Sequence, residues 1–177
     1  MDLLEPTGML MSELSERLKL SASFDFEPNE MRPLSPVAIT ITTSDQTKTL
    51  PKFVEHVGGP GRVPSLRVLS CNGLALIFGL HELVVLRSES SEITVIDLYR
   101  EDAMDFGFAK VQALKMSDGV LVIYESGVIS LSVDSTARWH VEKYWDDHLV
   151  ACANGRLDFA GDYSSYALNI ETGIAET

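Results

Sequence analysis

The amino-acid sequence predicts a mainly β protein, built from antiparallel β-meander repeats and preceded by a short N-terminal helix. One observation is that residues 74–78 and 120–124 are apolar at consecutive positions, which predicts strands buried on both faces. The other is that three Asn-Gly or Asp-Gly pairs each separate two hydrophobic runs. Such pairs favour type I′ hairpin turns because both central residues need positive φ. The pairs are Asn72-Gly73, Asp118-Gly119 and Asn154-Gly155.

The three turn pairs lie 46 and 36 residues apart, which indicates a repeated β unit. Two units carry four predicted strands each, whereas the sequence ends before the third unit supplies its fourth strand. The predicted strands include residues 68–71, 74–78, 83–87 and 93–98, then 111–116, 120–124, 128–133 and 139–144, and finally 148–153 and 166–170.

The N-terminal region has a different pattern. Residues 9–20 place Leu10, Leu14 and Leu18 four apart with charged residues opposite, which predicts an amphipathic helix. We expect its apolar face to cover the β core, with docking on a partner or an unstructured terminus as the alternatives. Residues 37–43 alternate apolar with small or polar side chains and predict a strand. We expect residues 1–65 to pack on a main domain formed by residues 66–177.

Three further N-terminal segments contain proline or glycine. Residues 24–36 contain three prolines and predict an extended connector. Residues 51–57 predict a brief helix with Pro51 in its first turn. Residues 58–64 predict an irregular loop, in which Arg62 and backbone N–H groups offer an alternative role as an anion site.

Residues 66–173 resemble the blades of a β-propeller, because a four-stranded meander repeats with a period near 40 and its second strand is apolar throughout. Residues 166–173 are also similar to the end of a blade in the quinoprotein-like and WD-like repeat families. The resemblance implies a fold and no cofactor or site residue. Two and a half units are fewer than the roughly 4 to 8 blades of a closed ring, so we expect an open stack, with a sandwich or barrel as the alternative.

Charge and composition limit the classes of partner. With 26 acidic and 14 basic residues, the chain has a formal charge of -12, which disfavours nucleic acids and anionic membranes. The two cysteines, Cys71 and Cys152, lie in apolar runs and are expected to be buried thiols. We predict a cytoplasmic protein without a cofactor.

The segment of residues 139–148 is the richest in side chains that could bind a metal ion or take part in a reaction. His140, Asp146, Asp147 and His148 are candidate metal ligands, because imidazole and carboxylate groups bind divalent metals. In the competing interpretation, His140 is solvated beside Glu142 and the two aspartates occupy a turn, where Asp is common.

A second candidate is an insertion that makes the first repeat spacing longer than the second. Residues 98–108 combine acidic side chains with Tyr99, Met104, Phe106 and Phe108, a mixture typical of protein-binding surfaces. In the competing interpretation these aromatic side chains belong to the core.

No nucleophile elbow or phosphate-binding loop is present in the sequence. We therefore expect a non-enzymatic protein-interaction module with an unknown protein partner. Two alternatives stay open. One is a small-molecule-binding or metal-dependent hydrolytic enzyme, and the other is a structural homo-oligomer, such as a homodimer, whose subunits complete each other's β layers.

Overall fold

A computed structural model describes residues 3–9, 11–25, 35–56, 66–87, 90–100 and 111–176. Within these ranges the chain forms 17 strands in four antiparallel sheets and one short helix, which confirms the predicted all-β meander. The elements are β1 (Leu3–Leu4), β2 (Thr7–Met9), α1 (Met11–Leu18), β3 (Ser21–Asp25), β4 (Ser35–Thr42), β5 (Thr47–His56), β6 (Leu66–Cys71), β7 (Leu74–Phe78), β8 (Glu82–Arg87), β9 (Ile93–Asp97), β10 (Gln112–Met116), β11 (Gly119–Tyr124), β12 (Gly127–Ser132), β13 (Ala137–Glu142), β14 (His148–Ala153), β15 (Arg156–Ala160), β16 (Ser165–Asn169) and β17 (Ala175–Glu176).

The chain groups into two compact units. One unit is Pro6–Asp97, and the other combines Met1–Glu5 with Leu98–Thr177. The division into residues 1–65 and 66–177 that the sequence suggested stays a prediction.

The Pro6–Asp97 unit contains two antiparallel sheets and the helix. Strands β2, β6, β7, β8 and β9 form one sheet, and strands β3, β4 and β5 form the other. Both sheets and the helix contribute side chains to one apolar core, where Leu14 is fully buried as the amphipathic pattern predicts. The helix ends at Leu18, and Lys19 follows with a φ of 51°, a left-handed conformation common after a helix C-terminus.

The helix predicted for residues 51–57 is wrong, because residues 51–56 belong to strand β5. Pairing with β4 skips from Val37 opposite Val54 to Ile39 opposite Leu50, which leaves a bulge around Pro51. A proline fits there because a bulge does not require its missing N–H group. The connector predicted for residues 24–36 is also shorter than expected, since β3 extends to residue 25 and β4 begins at residue 35. Residues 26–34 and the loop at 58–64 lie outside the described residues.

The second unit also has two sheets that share a core. Strands β1, β10, β11, β12 and β13 form one sheet, and β14 to β17 form the other in chain order. Their facing side chains include Leu121 and Ile123 from the first sheet and Leu157 and Phe159 from the second. The sequence predicted no fourth strand in the last repeat, but the two-residue β17 pairs with β16 and corrects that expectation.

The burial of β7 and β11 confirms the prediction that consecutive apolar residues mark strands buried on both faces. Every residue of both strands is buried, and each strand lies between two neighbours in its sheet. Both faces and both edges are therefore covered.

Two of the three predicted turns are confirmed. Asn72 and Gly73 have φ values of 52° and 75°, and Asn154 and Gly155 have 54° and 75°, as a type I′ turn requires.

The third predicted turn is displaced by one residue. Met116 pairs with Gly119, so the turn consists of Ser117 and Asp118, and neither Asp118 nor Gly119 has positive φ. The Arg138 guanidinium donates to the Asp118 carboxylate at 2.6 Å and lowers the pKa of that carboxyl group. Gly119 is needed for a different reason, because a Cβ there would lie 1.9 Å from the carbonyl oxygen of Leu131.

Both cysteines are thiols. Cys71 is buried in β6, whereas Cys152 is half-buried in β14, so the expectation of two buried thiols holds fully for Cys71 only. Burial raises the pKa of the Cys152 thiol, which favours its neutral form. In the described part of the chain, no helix has the length and apolar character needed to cross a membrane.

Candidate functional site

Two neighbouring loops of the second unit carry strongly exposed aromatic side chains. The loop of residues 143–147 joins β13 to β14, and the loop of residues 161–164 joins β15 to β16. We call them the aromatic loop pair. Tyr144 and Trp145 on the first loop are 65% and 60% exposed, and Tyr163 on the second is 88% exposed. Large aromatic side chains normally bury most of their surface, so their exposure here is informative.

Hydrogen bonds hold the two loops together. The Asp162 N–H group donates to Oδ2 of Asp146 at 3.1 Å, and the Ser164 hydroxyl donates to Oδ1 of Asp147. Gly161 packs so closely that a Cβ there would collide with the Asp147 carboxylate. The aromatic rings therefore project from loops whose positions are fixed relative to each other.

Lys143 anchors the first loop to the turn of residues 125–126. Its side chain is buried with 6% of the residue exposed, and Nζ donates to the carbonyl oxygens of Glu125, Tyr144 and Asp147 at 2.6, 2.8 and 2.7 Å. The backbone N–H group of Lys143 donates to the carbonyl oxygen of Ser126 at 2.8 Å. The three Nζ hydrogens thus have three acceptors, which is the full donor capacity of an ammonium group.

The surroundings of the aromatic loop pair are acidic. The turn of residues 125–126 and the segments of residues 142–148 and 161–164 contain five carboxylates and one lysine. Glu142 and Asp162 are exposed, whereas Asp147 is buried. Burial and the nearby Asp147 carboxylate raise the pKa of Tyr166, which keeps its phenol neutral.

A second polar cluster lies on the sheet that contains β11 to β13 in the same unit. It consists of Tyr99, Tyr124 and His140, and we call it the tyrosine cluster. The Tyr124 hydroxyl lies 2.8 Å from Nε2 of His140 and accepts a hydrogen bond from the Tyr99 N–H group at 2.9 Å. The Tyr99 ring packs against the His140 ring with centroids 4.3 Å apart. Burial raises the pKa of Tyr124 and lowers the pKa of His140, so both groups favour their neutral forms.

The position of His140 corrects the interpretation that it is solvated beside Glu142. Strand alternation does place it on the face opposite Trp139, whose indole N–H donates to the Ile170 carbonyl oxygen at 3.2 Å. That face, however, is covered by Tyr99 and Tyr124, which leave His140 half-buried. The sequence pattern gave the face of the strand but not the neighbours that cover it.

The four predicted metal ligands lie in different surroundings. Asp146 and Asp147 lie together in the aromatic loop pair, His140 belongs to the tyrosine cluster, and His148 is exposed at the start of β14. In the residue ranges that the structure describes, no group of three or more His, Cys, Asp or Glu is arranged to hold a metal ion.

The predicted interaction surface is described only in part. Tyr99 is 41% exposed and contributes to the tyrosine cluster. Met104, Phe106 and Phe108 lie outside the described residues, so the surface at residues 98–108 stays a prediction.

Sequence reasoning missed the contribution of Tyr144, Trp145 and Tyr163. Tyr144 was assigned to a strand, whereas β13 ends at Glu142. The available signal was the placement of an aromatic residue between turn-forming ones, as in Asp162-Tyr163-Ser164.

No protein-family model matches this sequence, and a search of curated proteins finds no match.

Proposed function

We propose that the protein is a non-enzymatic interaction module that binds a protein partner through the aromatic loop pair. The observation that carries this proposal is the exposure of Tyr144, Trp145 and Tyr163, which is between 60% and 88%. Tyr and Trp are enriched among the residues that dominate protein-binding energy, because they bury a large area and also form hydrogen bonds.

The fixed geometry of the loops supports the same function. Asp146 and Asp147 link the first loop to the second, and Lys143 holds the first loop against the turn of residues 125–126. A surface that is already ordered loses less conformational entropy on binding than a mobile loop does. The energy of burying the rings then contributes more directly to affinity.

Affinity capture with matched variants tests this proposal. The tagged chain is incubated at physiological salt with a lysate of its own source, and captured proteins are identified by mass. The test variant combines Trp145→Ala with Tyr163→Ala. The control combines Val133→Ala with Ile174→Ala, because these side chains are also exposed and apolar but lie outside the loop pair.

We expect a stoichiometric partner to be captured by the wild type and by the control, and to be lost from the test variant. Melting temperatures of both variants should stay close to that of the wild type, since exposed side chains contribute little to stability. Equal capture by the test variant would contradict the proposal. Recovery of the chain alone would also contradict it and would favour the homo-oligomer.

A further inference from the structure

The chemistry of the aromatic loop pair indicates what kind of partner it binds. Resting on the proposed function, we infer that the partner presents a basic segment, in which Arg or Lys side chains contact the rings of Trp145 and Tyr163 and the carboxylate of Asp162. The inference combines three features: the charge at the loops, the exposed faces of the aromatic rings, and the net charge of the whole chain.

The charge at the loops is one-sided. Five carboxylates lie in the segments that form and support the loop pair, and Lys143 is the single lysine among them. Its ammonium group is enclosed by three backbone carbonyl oxygens and is buried, so it is not presented to a partner. Asp162 is exposed and directly precedes Tyr163. A cation that approaches this surface therefore meets exposed carboxylate and no exposed Lys or Arg of these segments.

The rings add a second attraction for cations. The face of an indole or phenol carries negative partial charge, so ammonium and guanidinium groups bind over it. Guanidinium groups also stack on aromatic rings and form paired hydrogen bonds with carboxylates. Trp145 and Tyr163 offer exposed rings, and Tyr163 directly follows the exposed carboxylate of Asp162, so a guanidinium group can stack on a ring and pair with a carboxylate.

The net charge disfavours a second copy of the chain and a nucleic acid as partners, and it favours the approach of a basic segment. A second copy of the chain would bring the same acidic loops towards a molecule that also carries a charge of -12, and a nucleic acid would bring phosphates. A basic segment is attracted over a distance comparable with the Debye length, which is about 8 Å at physiological salt. Charge complementarity of this kind increases the association rate and selects the partner.

Peptide binding to the full-length chain tests the inference. The probe is a short fluorescent peptide of alternating Arg and Ser, and the control probe has Glu in place of Arg. Fluorescence anisotropy measures binding of both probes at low and at physiological salt. The variants are Trp145→Ala, Asp162→Asn and, as a matched control, Glu171→Gln, which removes an exposed carboxylate in the β16–β17 turn.

The Arg probe should bind the wild type, and the Glu probe should not. We expect Trp145→Ala to weaken binding about tenfold through loss of the ring face. Asp162→Asn should weaken it about threefold, and Glu171→Gln should leave it unchanged. Asp162→Asn keeps the backbone N–H group that bonds Asp146, so the loop contact survives while the charge is removed.

Each contrary outcome overturns the inference. Equal binding of the Arg and Glu probes would exclude selection by charge, and equal effects of Asp162→Asn and Glu171→Gln would show attraction to net charge alone. If the Arg probe fails to bind, and the variant that combines Trp145→Ala with Tyr163→Ala loses the captured partner, a basic partner is rejected and the interaction function stays intact. Undiminished capture by that double variant would instead reject the proposed function itself.

Discussion

Replacing Lys143 by Met tests how the aromatic loop pair is held in place. Methionine keeps a similar length and volume but cannot donate to the carbonyl oxygens of Glu125, Tyr144 and Asp147. A hydrogen bond from a charged donor contributes about 1.5 to 3 kcal/mol. Three such bonds therefore contribute on the order of 6 kcal/mol, and the cost of burying the ammonium group offsets several kcal/mol of this. We expect the free energy of unfolding to fall by about 3 kcal/mol.

Urea unfolding followed by circular dichroism measures this loss, and Lys115→Met is the matched control. Lys115 lies on β10 and is exposed, so its replacement should change stability by no more than about 0.5 kcal/mol. Acrylamide quenching of tryptophan fluorescence reports on Trp145 in the loop and on the half-buried Trp139, so quenching in Trp145→Ala is measured as well to separate the two contributions. Equal stability of the Lys143 and Lys115 variants would refute the assignment of Lys143 as an anchor.

Two more predictions follow from the second unit. Gly119→Ala should destabilise the protein by about 2 kcal/mol, because the new Cβ would collide with the backbone. Gly155→Ala should cost about 1 kcal/mol, because Gly155 has a positive φ but its Cβ would meet no other atom. Urea unfolding should show this order, and the reverse order would contradict the prediction. Burial lowers the pKa of His140 below its usual value near 6.5, so the unfolded chain binds more protons and stability should fall as the pH decreases below about 6.5. His140→Gln should remove part of this decrease between about pH 7 and pH 5, and identical pH profiles for the variant and the wild type would contradict the assignment.

Much of the β architecture could be predicted because its signals are local. Asn-Gly pairs at residues 72–73 and 154–155 specify turns through their own conformational preference. The runs in β7 and β11 are fully apolar because each strand is central in its sheet and covered on both faces. These features depend on residues near in sequence, or on burial that leaves a continuous apolar run.

The errors arise where a distant strand decides the backbone conformation. Residues 51–56 look helical in isolation because Pro51 suits a first helical turn, but β4 supplies hydrogen-bond partners that favour a strand with a bulge. Asp118-Gly119 has the composition of a type I′ turn, yet Gly119 lies in β11 because it pairs with Ser132 of β12. A glycine is required there because a Cβ would collide with the carbonyl oxygen of Leu131. Local preference is a weak term when tertiary contacts oppose it.

The candidate site was harder to predict for the same physical reason. Exposure of Tyr144 and Trp145 depends on the anchoring of their loop, and Lys143 reaches a carbonyl oxygen 18 residues earlier in the chain to provide it. The link between the two loops joins residues 16 and 17 positions apart. An aromatic residue in a turn is normally free to fold back onto apolar surface, so its sequence context does not determine its exposure. Here the backbone beneath the rings is hydrogen-bonded at several points, and this anchoring connects a buried lysine with the binding function proposed for the surface above it.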